Sequence, residues 1–430
     1  MNHDYQTYKG TWKEDLRLYV HVPFCVKKCA YCDFLSGPSN GKGIESYFNA
    51  LYKEIRSYKD RTRDYIVTSI YIGGGTPSCV DSDYITRTLN EIKDAFELSI
   101  DIEPEITIEV NPGTMYIVDS NNLNSFENGR NKLKEYKKAG INRISFGLQS
   151  THDHELRLLG RIHSYSEFLE NFNQARELGF NNINIDLMSA LPGQSTWSWE
   201  ETLIRIAKLN PEHISAYSLI IEEGTPFYDM YGPEGEERDK LPSEETDRLI
   251  YAMTKEKLMS QGYKRYEISN YAKEGYECRH NIAYWERVSY LGLGLGSASL
   301  IGNTRFSNTN SLKEYMNIIN GNHNKFMSTN TKKIYNIGIL DDFYGIRRNI
   351  ISLTKNQQIE EFMFLGLRKS DGVSKSSFLN KFGISMDYIY DKQINKLEKE
   401  RLIIIEKDFV KLTDYGTDVS NMVLSEFLID

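Results

Sequence analysis

Residues 18–34 read LYVHVPFCVKKCAYCDF. The first five residues are rich in β-branched and aromatic side chains, as a strand is, and Pro23 ends the run. Directly behind it stand Cys25, Cys29 and Cys32, a C-x3-C-x2-C spacing. Thiolates are soft donors that suit iron–sulfur clusters or zinc. A four-iron cluster normally takes four thiolates, so three leave one iron with an open position. An open position is what separates a reactive metal from a structural one. On spacing alone the alternative is a zinc site with a fourth ligand such as His21. The other two cysteines, Cys79 and Cys278, are far apart in the chain. Five is an odd number and too few for a disulfide framework in a chain of 430 residues. A tight cluster of thiols fits a metal or redox site in a reducing compartment.

Working outward, β-rich runs at 18–22, 67–72, 105–110, 142–148, 182–188 and 213–220 alternate with amphipathic stretches. One stretch carries Ile85, Leu89, Ile92 and Phe96 at helical spacing; another carries Phe168, Phe172, Ala175 and Leu178 and is closed by Gly179. A third carries Trp199, Leu203, Ile206 and Leu209. Strand–helix alternation of this kind predicts βαβ units and a parallel sheet. Six units predict an α/β fold built on an open, partial (β/α)6 TIM-like barrel, with chemistry on the loops after the strands. From about Gly224 the pattern turns irregular and helical, including a long helix over 244–261 and a Tyr- and Gly-rich stretch over 262–302. The Asn-rich segment 320–331 reads as a loop or linker. Residues 350–430 read as three helices, a hairpin turning at Lys407–Asp408 and a further helix, the order of a winged helix. The expected divisions are therefore 1–240, 241–349 and 350–430.

The chain holds 52 Lys and Arg against 60 Asp and Glu, a net charge of −8, with no basic stripe. Residues 351–430 alone carry 11 basic against 13 acidic side chains. Phosphate binding needs positive charge, so a packing or lid role is expected for the winged unit and nucleic acid is not an expected partner. The start MNHDYQTYKGTWKEDL is polar, without the apolar core of a signal peptide. No run approaches the ~18 apolar residues of a membrane span. A cytoplasmic location is expected.

The triplet of cysteines, followed one βα unit later by Gly73-Gly74-Gly75-Thr76-Pro77, resembles the radical S-adenosylmethionine superfamily. Consecutive glycines let a backbone approach a ligand closely and offer it N–H and C=O groups. The resemblance extends over nearly the whole chain to the family of oxygen-independent coproporphyrinogen III oxidases and HemW-type haem chaperones. It is carried by LYVHVPFCVKKCAYCDF, YIGGGTPS, TIEVNPG, ISFGLQS, LGRIHS, NIDLMSALPGQ, RYEISNYA and CRHNIAYW. It implies a 4Fe-4S cluster on Cys25, Cys29 and Cys32, with the methionyl group of S-adenosylmethionine on the open iron. An electron from the reduced cluster then breaks the sulfonium bond and leaves a 5′-deoxyadenosyl radical. The family's ligand contacts fall on Tyr19, Gly75, Thr76, Pro77, Glu109, Gln149, Arg161 and Asp186. Arg161 is suited to a forked pair with a carboxylate; Glu109 and Asp186 are suited to accept from ribose hydroxyls or an ammonium. Tyr31 either shields the cluster, stacks on adenine or simply packs.

Two features divide the branches. In the oxidases the third cysteine is followed by Gly and a fourth Cys; here Asp33-Phe34 follow. His280-Asn281-Ile282-Ala283-Tyr284-Trp285 matches the H-N-x-x-Y-W signature of the chaperone branch, whose histidine is implicated in haem binding. Imidazole is a common axial ligand, and a thiolate such as Cys278 is a rival. Where the family reads L-G-L-G-A-G-A-H, this chain has Leu291-Gly292-Leu293-Gly294-Leu295-Gly296-Ser297-Ala298 and lacks that histidine. The resemblance thus implies a haem chaperone whose partners are haem, a haem-accepting protein and an electron donor such as flavodoxin or ferredoxin. Radical decarboxylation of coproporphyrinogen III and a radical methyltransferase are the alternatives.

Overall fold

The computed structural model describes residues 6–8, 11–115, 125–321, 338–342 and 344–429. Six strands lie side by side and parallel: β1 (Thr11–Val22), β2 (Tyr65–Gly74), β3 (Glu105–Val110), β4 (Arg143–Gln149), β5 (Ile183–Ser189) and β6 (His213–Ser218). This is the expected partial (β/α)6 barrel. It is open, because β1 and β6 each pair outward with a further strand rather than with one another.

Alternation along β1 shows how the sequence sets the layers. Leu16, Leu18, Val20 and Val22 are fully buried in the core shared with the flanking helices. The residues between them, Arg17, Tyr19 and His21, face the barrel interior, the other side of a period-2 strand. Helix α1 (Gly41–Ser57) covers the outer face with Tyr47, Phe48, Leu51 and Ile55 and is capped by the Asn40 side chain. The three helical patterns read from sequence form α2 (Ser82–Ala95), α3 (Tyr165–Glu177) and α4 (Thr196–Lys208). Helix α3 opens with a Ser164–Glu167 capping box, which satisfies two otherwise unpaired donors.

The sequence reading of the region after Gly224 needs correction. The long helix is present as α5 (Glu244–Ser260), but the stretch that follows extends the barrel sheet. Strand β7 (Asn270–Ala272) pairs antiparallel with β6, and β8 (Ser289–Leu293) pairs parallel with β1. Strands β9 (Ala298–Ile301), β10 (Thr304–Asn308) and β11 (Arg347–Ser352) continue antiparallel beyond β8. Strands of three to six residues interrupted by glycine leave little periodicity to read, and the edge they bind is far away in sequence. Between β7 and β8 a short helix, α6 (Arg279–Trp285), crosses the end of the barrel where the strands begin. Asn320 ends a helix, Leu312–Asn320, and residues 322–331 of the expected linker lie outside the described residues.

The C-terminal unit is a winged helix. Helices α7 (Lys355–Gly366), α8 (Lys375–Phe382) and α9 (Met386–Lys399) pack around Met363, Phe378, Tyr390 and Phe427. Its hairpin, Ile403–Glu406 with Phe409–Leu412, pairs with Val373–Ser374 in a three-stranded sheet. The unit is tied to the barrel through Ser370 N–H to Tyr266 O (2.9 Å) and through Glu361, which joins Arg287 and Arg305 at 2.7 and 2.9 Å. Among the described residues no helix is long and apolar enough to cross a membrane.

Candidate cofactor site at the barrel mouth

The cysteine loop leaves β1 at the end where β2 delivers its glycines, since Val22 is in register with Gly74. The loop is pinned on several sides. Cys25 N–H donates to Gly37 O, Ala30 N–H donates to Leu159 O, and Phe227 N–H donates to Ala30 O, all within 3.1 Å. These bonds hold Cys25, Cys29 and Cys32 as half-buried free thiols. Cys25 Sγ lies 3.5 Å from Thr76 Oγ1, and Arg161 Nη1 donates to Cys29 Sγ at 3.5 Å.

The glycine triplet does different work from that expected. Gly74 N–H donates to Glu109 Oε2 (3.1 Å), Gly75 N–H to Val22 O (2.8 Å) and Thr76 N–H to Phe24 O (2.7 Å). Their donors are spent inside the protein, which leaves only the carbonyl edges for a ligand. The glycines are nevertheless required. Gly74 has φ +112°, and a Cβ there would meet the His21 ring at 2.4 Å; a Cβ on Gly75 would meet Phe24 O at 2.6 Å. The triplet lets β2 lie against the cysteine loop. Pro77 follows at the start of a 3-10 turn, Pro77–Cys79, where its missing N–H costs nothing.

Across the mouth, Glu109 accepts from Tyr71 Oη at 3.0 Å as well as from Gly74. Asp186 accepts from Ser145 Oγ (2.9 Å) and Asn184 Nδ2 (2.7 Å). Burial raises both acids, and the nearby Asp186 charge helps push Glu109 up to about 7. Tyr19 Oη lies 3.1 Å from His21 Nδ1, and its ring stacks on Tyr71 at 6.3 Å. Gln149 sits at a register shift in β4 with φ +75°, a strained conformation for a residue with a side chain. Arg161 also donates through Nη2 to Gly147 O, while its Nε is buried and without a partner among the described residues. Tyr31 packs beside Phe227, ring centroids 6.4 Å apart. Tyr71 was not singled out from sequence. Its place three residues before Gly74, on the same strand face as Gly73, was the available signal.

The donor set fits a cluster with a ligand beside it. Three accessible thiols share one loop, and a buried arginine atom lacks an acceptor that an anionic group would supply. Among the described residues no three His, Cys, Asp or Glu side chains already converge as a single ion would need. The proposed zinc alternative also loses its fourth ligand, because His21 Nε2 is bonded to Leu35 O at 2.9 Å while Nδ1 faces Tyr19.

The structure does not bring His280 to this mouth. His280 lies on α6 at the barrel floor, 1% exposed. Its Nδ1 is 2.8 Å from Ser69 Oγ and its Nε2 is 3.0 Å from Tyr284 Oη. Burial, with Arg17 and Arg143 nearby, lowers its pKa to about 3. Both nitrogens are thus engaged, and no haem iron reaches either while α6 stays seated. Cys278 is equally withdrawn: it is fully buried, with Sγ 3.5 Å from Glu105 Oε1 and its thiol pushed up to about 12 by burial. Glu105 also accepts the N–H groups of Arg279 and His280 (3.1 and 3.0 Å), fastening the start of α6.

Residues 19–206 match the radical SAM superfamily and residues 353–419 match the HemN C-terminal domain. The chain is 34% identical over 410 residues to the heme chaperone HemW of Bacillus subtilis (strain 168), covering 95% of this chain and 98% of that protein. It is 32% identical over 414 residues to the heme chaperone HemW of Lactococcus lactis subsp. lactis (strain IL1403), covering 96% and 97%. Among solved structures, the coproporphyrinogen III oxidase HemN from Escherichia coli superposes with a TM-score of 0.76 at 23% identity, covering 97% of this chain and 90% of that one, a likeness of fold. The chain belongs to the HemW family of the radical SAM superfamily.

Proposed function

We propose that this protein is a haem chaperone that binds haem and passes it to a haem-accepting protein. The observation that carries this reading is nearly full-length likeness to proteins named heme chaperone. The coproporphyrinogen oxidase alternative rests on a shared fold, and Asp33-Phe34 after the third cysteine speaks against it.

In this reading a 4Fe-4S cluster is held by Cys25, Cys29 and Cys32, with S-adenosylmethionine beside it. When bound, the reduced cluster supplies an electron to the sulfonium, and a protein such as flavodoxin or ferredoxin is the donor to the cluster. The chain's own residues prepare the pocket. Arg161 offers its unpaired Nε to the ligand carboxylate; Glu109 and Asp186 accept from ammonium or ribose; Tyr19, Gln149 and the Gly75–Thr76–Pro77 edge line the rest. Tyr31 shields one side. Residues 1–240 hold these cofactors, 241–349 close the floor, and 350–430 act as a packing or lid unit.

Glu109 makes the pocket pH-sensitive. With its pKa raised from 4.5 to about 7, the folded protein holds an extra proton between those values. Its contribution to stability therefore falls as pH climbs through that window. Affinity for the ligand ammonium should rise over the upper part of the same window as Glu109 ionises. Calorimetric titration with S-adenosylmethionine from pH 6 to 8 should show that rise, and Glu109→Gln should flatten it.

The chaperone reading is tested by titrating haemin into the reconstituted protein. Saturable binding of one haemin per chain is expected, and its absence overturns the reading. His280→Ala is expected to lower the melting temperature while leaving haemin affinity in place, because it removes two buried hydrogen bonds, each worth about 0.5–1.5 kcal/mol. A variant that melts like the wild type yet loses haemin would restore His280 as the ligand.

A further inference from the structure

The barrel lumen holds a charged side chain for which the protein provides no partner. Arg143 opens β4 and shares the inward face of that strand with Ser145, whose hydroxyl reaches Asp186. Arg143 is level with Thr107 and Tyr71 on the neighbouring strands, whereas Ser145 is level with Glu109. Two residues of strand set Arg143 about 7 Å nearer the floor than the pocket acids. The side chain is 2% exposed there. Its guanidinium nevertheless makes no hydrogen bond and no ion pair among the described residues. Nε is enclosed by protein; Nη1 and Nη2 are not, so the forked end opens on a space inside the barrel.

The groups around it are already engaged. Burial works against the Arg143 charge, but Cys278, Glu105, Tyr71 and Tyr266 nearby outweigh it and raise the pKa. Burial also pushes up Cys278, Tyr71 and Tyr266, which stay neutral at neutral pH and leave Glu105 as the anion of the four. Glu105 spends Oε1 on His280 N–H and the Cys278 thiol, and Oε2 on Arg279 N–H. Asp186, one layer nearer the mouth, is taken by Ser145 and Asn184. Tyr71 donates to Glu109, and Tyr266 Oη lies 2.8 Å from His213 Nε2. A buried guanidinium left without acceptors is costly. Its two free Nη groups present the parallel pair of donors that a carboxylate accepts, and a carboxylate also neutralises the charge, which water does not.

We propose that the barrel floor is a binding site for a small carboxylate, held end-on by the Nη1–Nη2 fork of Arg143. The space is closed off from bulk solvent, which limits the ligand to the size of formate or acetate. Bound there, the anion lies beneath Glu109 and Asp186 and braces the floor on which α6 is seated. Arg143 is outside the set assigned to the cluster, the sulfonium ligand or haem, so the site stands whether or not the haem-chaperone reading holds.

The full-length protein is exchanged into potassium gluconate, whose anion is too bulky to enter, and formate then replaces gluconate stepwise at constant ionic strength. The melting temperature should rise and saturate, because a ligand of the folded state alone stabilises it by mass action. Acetate should act alike, and pivalate, a bulky carboxylate of the same charge, should leave the protein as gluconate does. The carbon resonance of isotopically labelled formate should broaden with wild type and sharpen again on adding unlabelled acetate. Arg143→Gln should abolish the saturable rise. Arg143→Lys, which keeps the charge and loses the fork, should weaken binding about ten-fold. If Arg143→Gln does not fold, the Arg143→Lys titration and the formate resonance on wild type decide the matter. Equal melting temperatures in formate and gluconate, or the same rise with pivalate, would show that the space holds water only. A saturable formate effect unchanged in either Arg143 variant would put the anion elsewhere. Each of these results overturns the site.

Discussion

Alanine at Cys29 is expected to leave the protein folded and colourless. The thiol is half-buried on a loop and, among the described residues, bonds through its side chain to Arg161 at 3.5 Å, so its removal opens no core cavity and should shift the melting temperature little. Iron should fall from about four atoms per chain to near none, with loss of the broad absorption near ~400 nm, because two thiolates do not hold a cluster that normally takes four. Cys25→Ala and Cys32→Ala should behave alike. Cys278→Ala is the informative contrast. That side chain is fully buried against Glu105, so its loss should cost stability and spare the iron. Iron and sulfide assays on anaerobically reconstituted variants decide the matter; a Cys29→Ala protein that keeps its iron would show that the cluster is elsewhere.

Glu361→Ala is expected to be strongly destabilising although it lies outside the hydrophobic core. Glu361 is 5% exposed and stands between Arg287, itself 7% exposed, and Arg305. Replacing such a pair with apolar groups is often harmless, but removing one partner strands the other charge. The usual cost is about 3–5 kcal/mol. Arg287 already has one nitrogen, Nη2, without a partner among the described residues, so it has little to fall back on. The loss would fall on the junction between the barrel sheet and the winged helix. Urea unfolding should show a lowered midpoint, with the C-terminal unit loosening first in hydrogen exchange. A cost of under about 1 kcal/mol, typical of an exposed pair, would mean that this junction is wetter than the structure shows.

The sequence was most readable where signals were local. Each of the six barrel strands overlapped a run of β-rich residues ended by Gly, Pro or a polar residue, and the cysteine spacing announced the loop after the first. Strand β1 nonetheless starts at Thr11, seven residues before its expected start. Its early part carries Lys13, Glu14, Asp15 and Arg17, and among the described side chains there Leu16 alone goes to the core. Strands β7 to β11 were illegible for a different reason: β8 becomes a strand by pairing with β1, and a single short run cannot display that partner.

At the site, residue types were readable but their partners were not. Gly73-Gly74-Gly75 suggested a backbone open to a ligand, whereas the N–H of Gly74 is taken by Glu109 and those of Gly75 and Thr76 bind β2 to the chain entering the cysteine loop. His280 and Tyr284 stand at i and i+4, the spacing that places two side chains on one helical face. That spacing could have warned that they satisfy one another in the barrel floor, as they do at 3.0 Å. Trp285, one residue further, necessarily turns aside, and so reaches Arg368.

The account depends on one metal corner left free by three thiolates and filled by the sulfonium ligand. The most direct measurement is the paramagnetic resonance spectrum of the reduced, reconstituted protein with and without S-adenosylmethionine. Binding at the open iron changes that iron's ligands, so the spectrum should shift and saturate at one ligand per cluster. A spectrum that stays the same while equilibrium dialysis shows the ligand bound would contradict it.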